Sequence, residues 1–311
     1  MKTIFITGGA GFIGSHIVEA MASKAKIIVY DTFERNAIGY LGDIKNVSII
    51  KGDVLDFDKL YSDLGRVDIV IHCAAIAGIR SVNKHSAMTM DVNLVGTMNV
   101  LRAAKTWGCK TVINFSTSEV YGPRTYDETE TGMTIQGPSN EPRWIYAVSK
   151  LAAEHLAQNY GKETRMNVVT VRPFNIFGPR QIGEGAIHDM IMAALQNEPI
   201  IVYNGGTQIR SWCYISDFID LMKVIISYDN IGCEVFNVGN PQNTLTVLNL
   251  AKMILPMTHS KSEIIFRKSD MPDVHFRVPN IDKAKQWFDF NPWVSLEKGL
   301  EKTIEFYRSH L

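Results

Sequence analysis

The sequence lacks an excess of charge of either sign, since 32 Lys and Arg balance 32 Asp and Glu in 311 residues. No overall field attracts nucleic acid or an anionic membrane surface, so neither is expected as a partner. Apolar runs are short, and none reaches the roughly 18–20 residues of a membrane-spanning helix. Glycines interrupt the apolar stretch that follows Lys2, so a secretory leader is not expected either.

Cysteines are few and widely spaced, at positions 73, 109, 213 and 233. They form no CxxC pair, and no group of His, Cys and Asp has the spacing of a metal site. The sequence therefore predicts reduced thiols, no bound metal and a cytoplasmic location. With 46% apolar residues, the chain can bury the core of one large domain and a smaller lobe.

Short β-branched runs alternate with helical patterns over about the first 170 residues. This alternation predicts an α/β fold, a Rossmann-like doubly wound parallel sheet with helices on both faces. The expected strands are 3–7, 26–30, 47–50, 68–73, 111–116 and 167–172. The expected helices include 15–24, 88–107 and 146–161.

Beyond Arg172, loops rich in Gly, Pro and Asn separate shorter elements. They predict a smaller C-terminal α/β lobe that binds the substrate. The expected division is residues 1–172 for the cofactor and residues 173–311 mainly for the substrate. A segment near 211–240 is expected to return to the main sheet.

The first strand runs into a GxGxxG motif formed by Gly9, Gly11 and Gly14, where a helix is expected to begin. Such glycines let the backbone approach a pyrophosphate, whose charge lies against the N–H groups of the helix start. Asp31, at the end of the second strand, can hold the adenosine ribose hydroxyls and would repel a 2′-phosphate. The pattern predicts NAD, although Arg35 leaves NADP open.

Tyr146 and Lys150 are four residues apart on an expected helix and therefore share one face. A phenol with a pKa of about 10 is a poor base at neutral pH, and a nearby ammonium stabilises its phenolate. A YxxxK pair alone is equally typical of a solvated helix. Its place behind the glycine turn, and after a strand that ends in Ser-Thr-Ser-Glu at 116–119, favours catalysis.

These motifs together resemble the extended short-chain dehydrogenases/reductases of the NAD-dependent epimerase/dehydratase family, which act on nucleotide sugars. The resemblance covers nearly the whole chain. The matching segments are TGGAGFIGSH, GDV at 52–54, HCAA at 72–75, DVNLVGTMNVLRAA at 91–104, STSEVYG at 116–122, YAVSK at 146–150, RPFNIFGPRQ at 172–181 and GGTQIRSWCYISD at 205–217. The resemblance implies cofactor contacts by Gly8, Gly11, Phe12, Ile13, Gly14, Asp31, Asp53, Val54, Ala74 and Lys150. For Asp53, the alternatives are the adenine amino group and an ordinary turn or helix cap.

Epimerases, 4,6-dehydratases and decarboxylases share most of these motifs. Ser118 stands where similar dehydratases carry an aspartate, and a serine is poorly suited to protonate a departing C6 hydroxyl. Thr-Ser-Glu followed by PRWIYAVSK resembles the UDP-glucuronate decarboxylases, including UDP-xylose synthases. We therefore expect a UDP-hexuronic acid to be decarboxylated to a UDP-pentose through a transient 4-keto sugar. The alternatives are a UDP-hexose 4-epimerase, a nucleotide-sugar 4,6-dehydratase and an NAD-binding regulator without turnover.

The resemblance also implies roles for individual residues. Thr117, Tyr146 and Lys150 would serve the first oxidation, while Ser118 and Glu119 would serve the later steps. Three further residues would bind substrate: Asn175 and Arg180 the diphosphate and uridine, and Arg210 either the sugar carboxylate or the diphosphate. Relatives commonly pair through the helices near 88–107 and 146–161, so a homodimer is expected.

Other conspicuous residues are expected to be structural. His72 ends a strand among small residues, which favours packing over acid–base chemistry. Asn93 resembles a family asparagine that orders backbone and water near the active site. Trp212, Trp287 and Trp293, three of the five tryptophans, are expected to pack rather than to form a stacking platform.

Overall fold

The computed structural model describes residues 1–269 and 271–311. The strands are β1 Lys2–Thr7, β2 Ala25–Asp31, β3 Val47–Lys51, β4 Ile69–His72, β5 Thr111–Phe115, β6 Arg124–Glu128, β7 Asn167–Pro173, β8 Ile176–Phe177, β9 Ile200–Tyr203, β10 Ile209–Ser211, β11 Cys213–Tyr214, β12 Cys233–Val238, β13 Thr244–Thr246, β14 Ile264–Arg267 and β15 Phe276–Pro279. The α-helices are α1 Phe12–Met21, α2 Phe57–Leu64, α3 Ile79–Lys84, α4 Ser86–Met90, α5 Gly96–Thr106, α6 Ile145–Thr164, α7 Ala186–Leu195, α8 Ile215–Ser227, α9 Val247–Thr258, α10 Asp282–Phe288 and α11 Leu296–Ser309. Across the described residues, no helix is both long and apolar enough to cross a membrane.

The chain divides into two compact units, of which the first comprises Met1–Val120, Gln136–Pro173 and Ile219–Phe236. Its sheet has seven strands in the order β12-β7-β5-β4-β1-β2-β3. The five strand pairs from β3 to β7 are parallel. The strand order reverses between β1 and β4, and in such sheets ligands bind at the carboxyl ends of the strands beside this reversal.

The six strands expected from the sequence agree with the structure to within one residue at each end. Most of their β-branched side chains are buried because helices cover both faces of the sheet, whereas Ile49 on the edge strand β3 is 55% exposed. The doubly wound α/β prediction is therefore confirmed.

The helices differ more from expectation. Helix α1 begins at Phe12, three residues before the expected start, because Gly11 already acts as its N-cap residue. One continuous helix was expected over 88–107, but the structure has three successive parts there. These are α4, then a π-helical turn over Asp91–Val95, then α5. A π-turn adds a residue to the helical repeat, so the side chains after it are rotated relative to a continuous α-helix. The turn places Asn93 in the interior, where its side chain is fully buried.

The second unit comprises Tyr121–Ile135, Phe174–Phe218 and Asn237–Leu311. It contains a four-stranded sheet in the order β13-β10-β15-β6, in which β10 and β13 are antiparallel. Helices α7, α9 and α11 pack on one another. Of the segment 211–240, which was expected to return to the main sheet, residues 219–236 belong to the first unit. Residues 121–135, which precede the expected boundary at 172, belong to the second unit. The assignment of cofactor binding to 1–172 and of substrate binding to 173–311 stays a prediction.

Candidate active site

The glycine turn joins β1 to α1 in the first unit. The Gly8 N–H donates to the Tyr30 carbonyl of β2 (2.9 Å), and the Gly11 N–H donates to the Gly8 carbonyl (3.1 Å). Gly11 is the N-cap residue of α1 and has no side chain to cap it. The first N–H groups of α1, which include those of Phe12 and Ile13, are therefore available to an anion.

The glycines of this turn meet different constraints. Gly8 has φ +68°, and a Cβ there would lie 2.5 Å from the Ala74 nitrogen. A Cβ on Gly14 would lie 2.3 Å from the Gly8 carbonyl oxygen, so the turn itself requires both glycines. A Cβ on Gly11 would meet only that oxygen, at 3.3 Å, and otherwise open space. The missing side chain at Gly11 leaves the room that a dinucleotide phosphate needs, so the turn fits NAD.

Asp31 ends β2 beside the glycine turn. Its carboxylate accepts hydrogen bonds from the N–H groups of Ala10 (2.9 Å) and Phe33 (2.8 Å). Burial raises the pKa of the Asp31 carboxyl, and these N–H groups oppose the rise. The Arg35 guanidinium donates to the Ala77 carbonyl (3.2 Å) in the loop after β4. The predicted contact between Asp31 and the adenosine ribose stays a prediction.

Asp53 and Val54 follow β3. The Asp53 carboxylate accepts the Leu55 N–H (2.9 Å), as in a local turn. Val54 is buried, and a Cβ on Gly96 would lie 2.6 Å from its Cγ2. These contacts give both residues a structural role, while their contacts with the cofactor stay predictions.

Tyr146 lies in the first turn of α6 and is brought together with Thr117, which follows β5. The Thr117 hydroxyl accepts the Glu119 N–H (3.2 Å), which leaves its own proton for the Tyr146 oxygen. Burial raises the pKa of Tyr146 to about 12, while the Thr117 hydrogen bond lowers it and the Glu119 charge raises it. We expected Lys150 to stabilise the phenolate, but in the protein alone burial is the largest influence on the pKa of Tyr146 and raises it.

Lys150 lies one turn further along α6 and is buried. Burial lowers its pKa to about 8, against the opposing effects of Cys73 and Glu154. Lys150 makes no hydrogen bond or ion pair with any described residue. A buried ammonium without an acceptor is costly, so its position suits the predicted contact with the cofactor. Cys73, which directly follows β4 and precedes Ala74, acts electrostatically on the Lys150 ammonium. Lys150 therefore lies close to the end of β4.

Glu119 forms an ion pair with Arg143, with 2.9 Å between Oε2 and Nη2. Arg143 lies in the 3-10 turn Pro142–Trp144, directly before α6. The Glu119 side chain is 24% exposed and that of Arg143 is 11% exposed, so solvent screens the pair only partly. Ser118, between Thr117 and Glu119, is also buried. Our sequence analysis did not identify Arg143, whose only signal was the segment PRWIYAVSK.

Asn93 connects the loop after β4 to the catalytic helix. Its side chain donates to the Ile76 carbonyl (3.1 Å) and accepts the Ile76 N–H (2.9 Å). It also donates to the Ser149 hydroxyl (2.9 Å), which in turn donates to the Tyr146 carbonyl (2.8 Å). The π-turn thus fixes the first turn of α6 through one buried amide.

His72 ends β4 between two threonines. The Thr97 hydroxyl donates to the Asn93 carbonyl (2.6 Å), so it accepts from His72 Nε2 (2.9 Å). The Thr7 hydroxyl is 2.7 Å from Nδ1 and is the donor there. Burial, reinforced by the Lys150 charge, lowers the pKa of His72 to about 3. These contacts are those of a neutral structural histidine.

The three predicted substrate-binding residues all belong to the second unit. Asn175, at φ +41°, donates to the Ser211 carbonyl (2.9 Å). Arg180, at φ +66°, is buried. Arg210 lies on β10, and its guanidinium donates to the Ile209 carbonyl (2.9 Å). Their roles toward a substrate stay predictions.

The tryptophan prediction is wrong for one residue. Trp212 is buried as expected and Trp287 is partly covered, but Trp293 is 70% exposed. Its place in the loop between α10 and α11 leaves it largely outside the core.

Comparison with known proteins identifies the family of the chain. Residues 4–239 match the NAD dependent epimerase/dehydratase family. The chain is 34% identical to the UDP-N-acetyl-alpha-D-glucosaminuronate decarboxylase of Bacillus cytotoxicus, over 99% of this chain and 98% of that protein. It is 35% identical to UDP-glucuronic acid decarboxylase 1 of Xenopus tropicalis, over 100% of this chain and 73% of that protein.

A solved structure with the same fold is the UDP-glucuronic acid 4-epimerase of Bacillus cereus in complex with UDP-glucuronic acid and NAD. It has a TM-score of 0.90 and 30% sequence identity, and the match covers 99% of this chain and 100% of that one. The glycine turn, the Tyr146–Lys150 helix and these matches lead to one conclusion. The chain belongs to the NAD dependent epimerase/dehydratase family.

Proposed function

We propose that the protein uses NAD to decarboxylate a UDP-hexuronic acid to a UDP-pentose through a transient 4-keto sugar. The observation that carries the proposal is Glu119, an acidic residue electrostatically coupled to Tyr146 and held by Arg143. It supplies a carboxyl group for the steps that follow the oxidation. Identities of 34% and 35% to two UDP-uronic acid decarboxylases support the same reaction.

The first step removes two hydrogens at C4 of the sugar. NAD, which the glycine turn and Asp31 would hold, would supply a reversible hydride acceptor for C4 and a positive charge near Tyr146. Tyr146 takes the proton of the C4 hydroxyl, and Thr117 donates a hydrogen bond to the same oxygen. Lys150 contributes a positive charge, since a pKa of about 8 leaves it mostly protonated at neutral pH.

The second step follows from the ketone. A C6 carboxylate beside a C4 ketone is a β-keto acid, so the C5–C6 bond can break and release carbon dioxide. Its electron pair passes into an enolate over C4 and C5. Glu119 then delivers a solvent proton to C5, and Tyr146 returns its proton to the C4 oxygen when the ketone is reduced again. The net reaction consumes one solvent proton and releases the C6 carboxylate as carbon dioxide.

A 4-epimerase acting on a UDP-hexuronic acid is the second candidate, because the similar Bacillus cereus structure is a UDP-glucuronic acid 4-epimerase. It would share the first oxidation and return hydride to the other face of C4. A 4,6-dehydratase has less support, since Ser118 offers no carboxyl group at the position expected to protonate a departing hydroxyl.

Product masses test the proposal. The purified protein with NAD is incubated separately with UDP-glucuronate, UDP-N-acetylglucosaminuronate, UDP-glucose and dTDP-glucose. We expect a product lighter by carbon dioxide from at least one of the two uronates. An unchanged mass with a new sugar signal in the NMR spectrum would show epimerisation instead, and loss of water alone would show dehydration. Comparing the two uronates also identifies the C2 substituent.

We further propose a homodimer formed through α5 and α6. Val95 and Met98 are 37% and 36% exposed, and Val148 on α6 is 38% exposed. Apolar side chains grouped on neighbouring helices are typical of an interface. We expect a dimer in sedimentation velocity and a monomer after Val148→Asp. The control is Ile49→Asp on β3, where Ile49 is 55% exposed, and it should stay dimeric. A monomeric unchanged protein would refute the proposal.

The cytoplasm is the proposed compartment. All four cysteines are free thiols, which persist in a reducing environment. Fractionation of the source cells, with detection of the protein in each fraction, tests this location.

A further inference from the structure

The ion pair between Glu119 and Arg143 joins two elements of the first unit. Glu119 follows β5, and Arg143 precedes Tyr146 by three residues. We propose that Arg143 determines specificity for a sugar that carries negative charge at C6, because it neutralises Glu119 and lets the site accept a second carboxylate. This inference rests on the proposed function, which places a UDP-hexuronic acid against Tyr146.

The substrate would bring its charge close to Glu119. Tyr146 and Thr117 hold the C4 oxygen in the proposed reaction, and C6 is attached to C5, the neighbour of C4. Glu119 donates its N–H to the Thr117 hydroxyl (3.2 Å) and is electrostatically coupled to Tyr146. A uronate carboxylate would therefore lie within a short distance of the Glu119 carboxylate. Two like charges in a partly buried site repel each other strongly unless a cation lies between or beside them.

Arg143 is held in place from several sides. Its N–H donates to the Glu141 side chain (3.4 Å), and Pro142 begins the turn. Its guanidinium carbon lies 5.8 Å from the ring centre of Trp144. Trp144 is buried, and a Cβ on Gly137 would lie 2.0 Å from its Nε1, so the loop packs closely on that ring. The guanidinium is thus presented to Glu119 by a fixed backbone.

Binding measurements separate this role from the chemistry. Each variant is made in the Tyr146→Phe background, so that substrate is not consumed, and is titrated calorimetrically at saturating NAD with UDP-glucuronate and with UDP-glucose. Arg143→Gln should weaken UDP-glucuronate binding by about tenfold or more, since it removes the positive charge that lies beside the Glu119 carboxylate. Binding of UDP-glucose, which is uncharged at C6, should change little. Arg143→Lys should keep most of the preference for the uronate.

The double variant Arg143→Gln/Glu119→Gln decides between neutralisation and direct contact. If Arg143 acts by neutralising Glu119, removing both charges should restore much of the UDP-glucuronate affinity that Arg143→Gln loses. Affinity that stays as low as in Arg143→Gln would show direct contact with the substrate and would overturn the inference. Arg66→Gln, at an exposed arginine between α2 and β4, is the matched control and should bind both ligands normally.

Three further outcomes separate this inference from a structural role and from the proposed function. Equal weakening of both nucleotide sugars by Arg143→Gln, with a lower melting temperature, would show a structural role and would also overturn it. With Tyr146 retained so that turnover can be measured, normal decarboxylation by Arg143→Gln, together with unchanged discrimination in the binding experiment, would refute the inference alone. Epimerisation of UDP-glucuronate with the expected loss of discrimination would refute decarboxylation alone.

Discussion

Replacing Tyr146 with Phe should lower the turnover of the UDP-uronate substrate by about 10²–10⁴-fold, the range for loss of a general base. The phenol oxygen is the only atom removed, so the packing of α6 should persist. Loss of its hydrogen bond to Thr117 should cost about 1 kcal/mol of unfolding free energy. Initial rates by product mass and thermal unfolding by circular dichroism measure the two effects separately.

The size of this effect follows from the charges around the phenol. Burial raises the pKa of Tyr146 to about 12, so the protein alone keeps it protonated at neutral pH. The positive charges of Lys150 and of the oxidised cofactor must therefore act together to make it a base. Phenylalanine has no proton to give or take, so none of these charges can compensate.

Tyr160→Phe is the matched control, since it makes the same change nearly four turns further along α6. The ring of Tyr160 lies 5.6 Å from the Lys105 ammonium, and Phe would keep that contact. Its turnover should equal that of the unchanged protein. Near-normal turnover of Tyr146→Phe would remove Tyr146 from the mechanism.

The sheet could be predicted from the sequence because its signal is local. Runs such as TIFIT and KIIVY are rich in β-branched residues and are bounded by glycine or charged residues. Each strand can therefore be located from its own residues, without knowledge of its partner strands. The π-turn over Asp91–Val95 could not be predicted, because one added residue barely changes the apolar pattern of a long helix. The strand β6 was missed as well, since its partner β15 lies about 150 residues further along the chain.

The candidate site could be predicted only in part. Gly11, Asp31, Tyr146 and Lys150 stand in motifs with fixed spacing, so their chemistry is visible in the sequence. The partner of Glu119 is not visible, because Arg143 is 24 residues away and meets it only where the end of β5 faces the start of α6. The direction of the shift in the Tyr146 pKa was also not predicted. The motif suggested a stabilised phenolate, whereas burial in the folded protein raises the pKa.

Replacing Glu119 with Gln should spare the oxidation and impair the steps after it. Glutamine keeps the size of the side chain but cannot deliver a proton to C5, so formation of the UDP-pentose should fall by about 10²-fold or more. The fraction of product released as a keto sugar should rise. Mass spectrometry distinguishes the two, because a keto sugar is lighter than the corresponding alcohol by two hydrogens.

The same substitution should leave substrate affinity intact, which separates a chemical role from a binding role. Glu119→Gln frees the Arg143 guanidinium, so UDP-glucuronate should bind at least as tightly as before while turnover falls. Glu163→Gln, at an exposed position near the end of α6, is the matched control and should change neither quantity. If Glu119→Gln formed UDP-pentose at the normal rate without keto sugar, the C5 proton would have to come from another group. If it lost affinity and turnover together, Glu119 would serve binding rather than proton transfer.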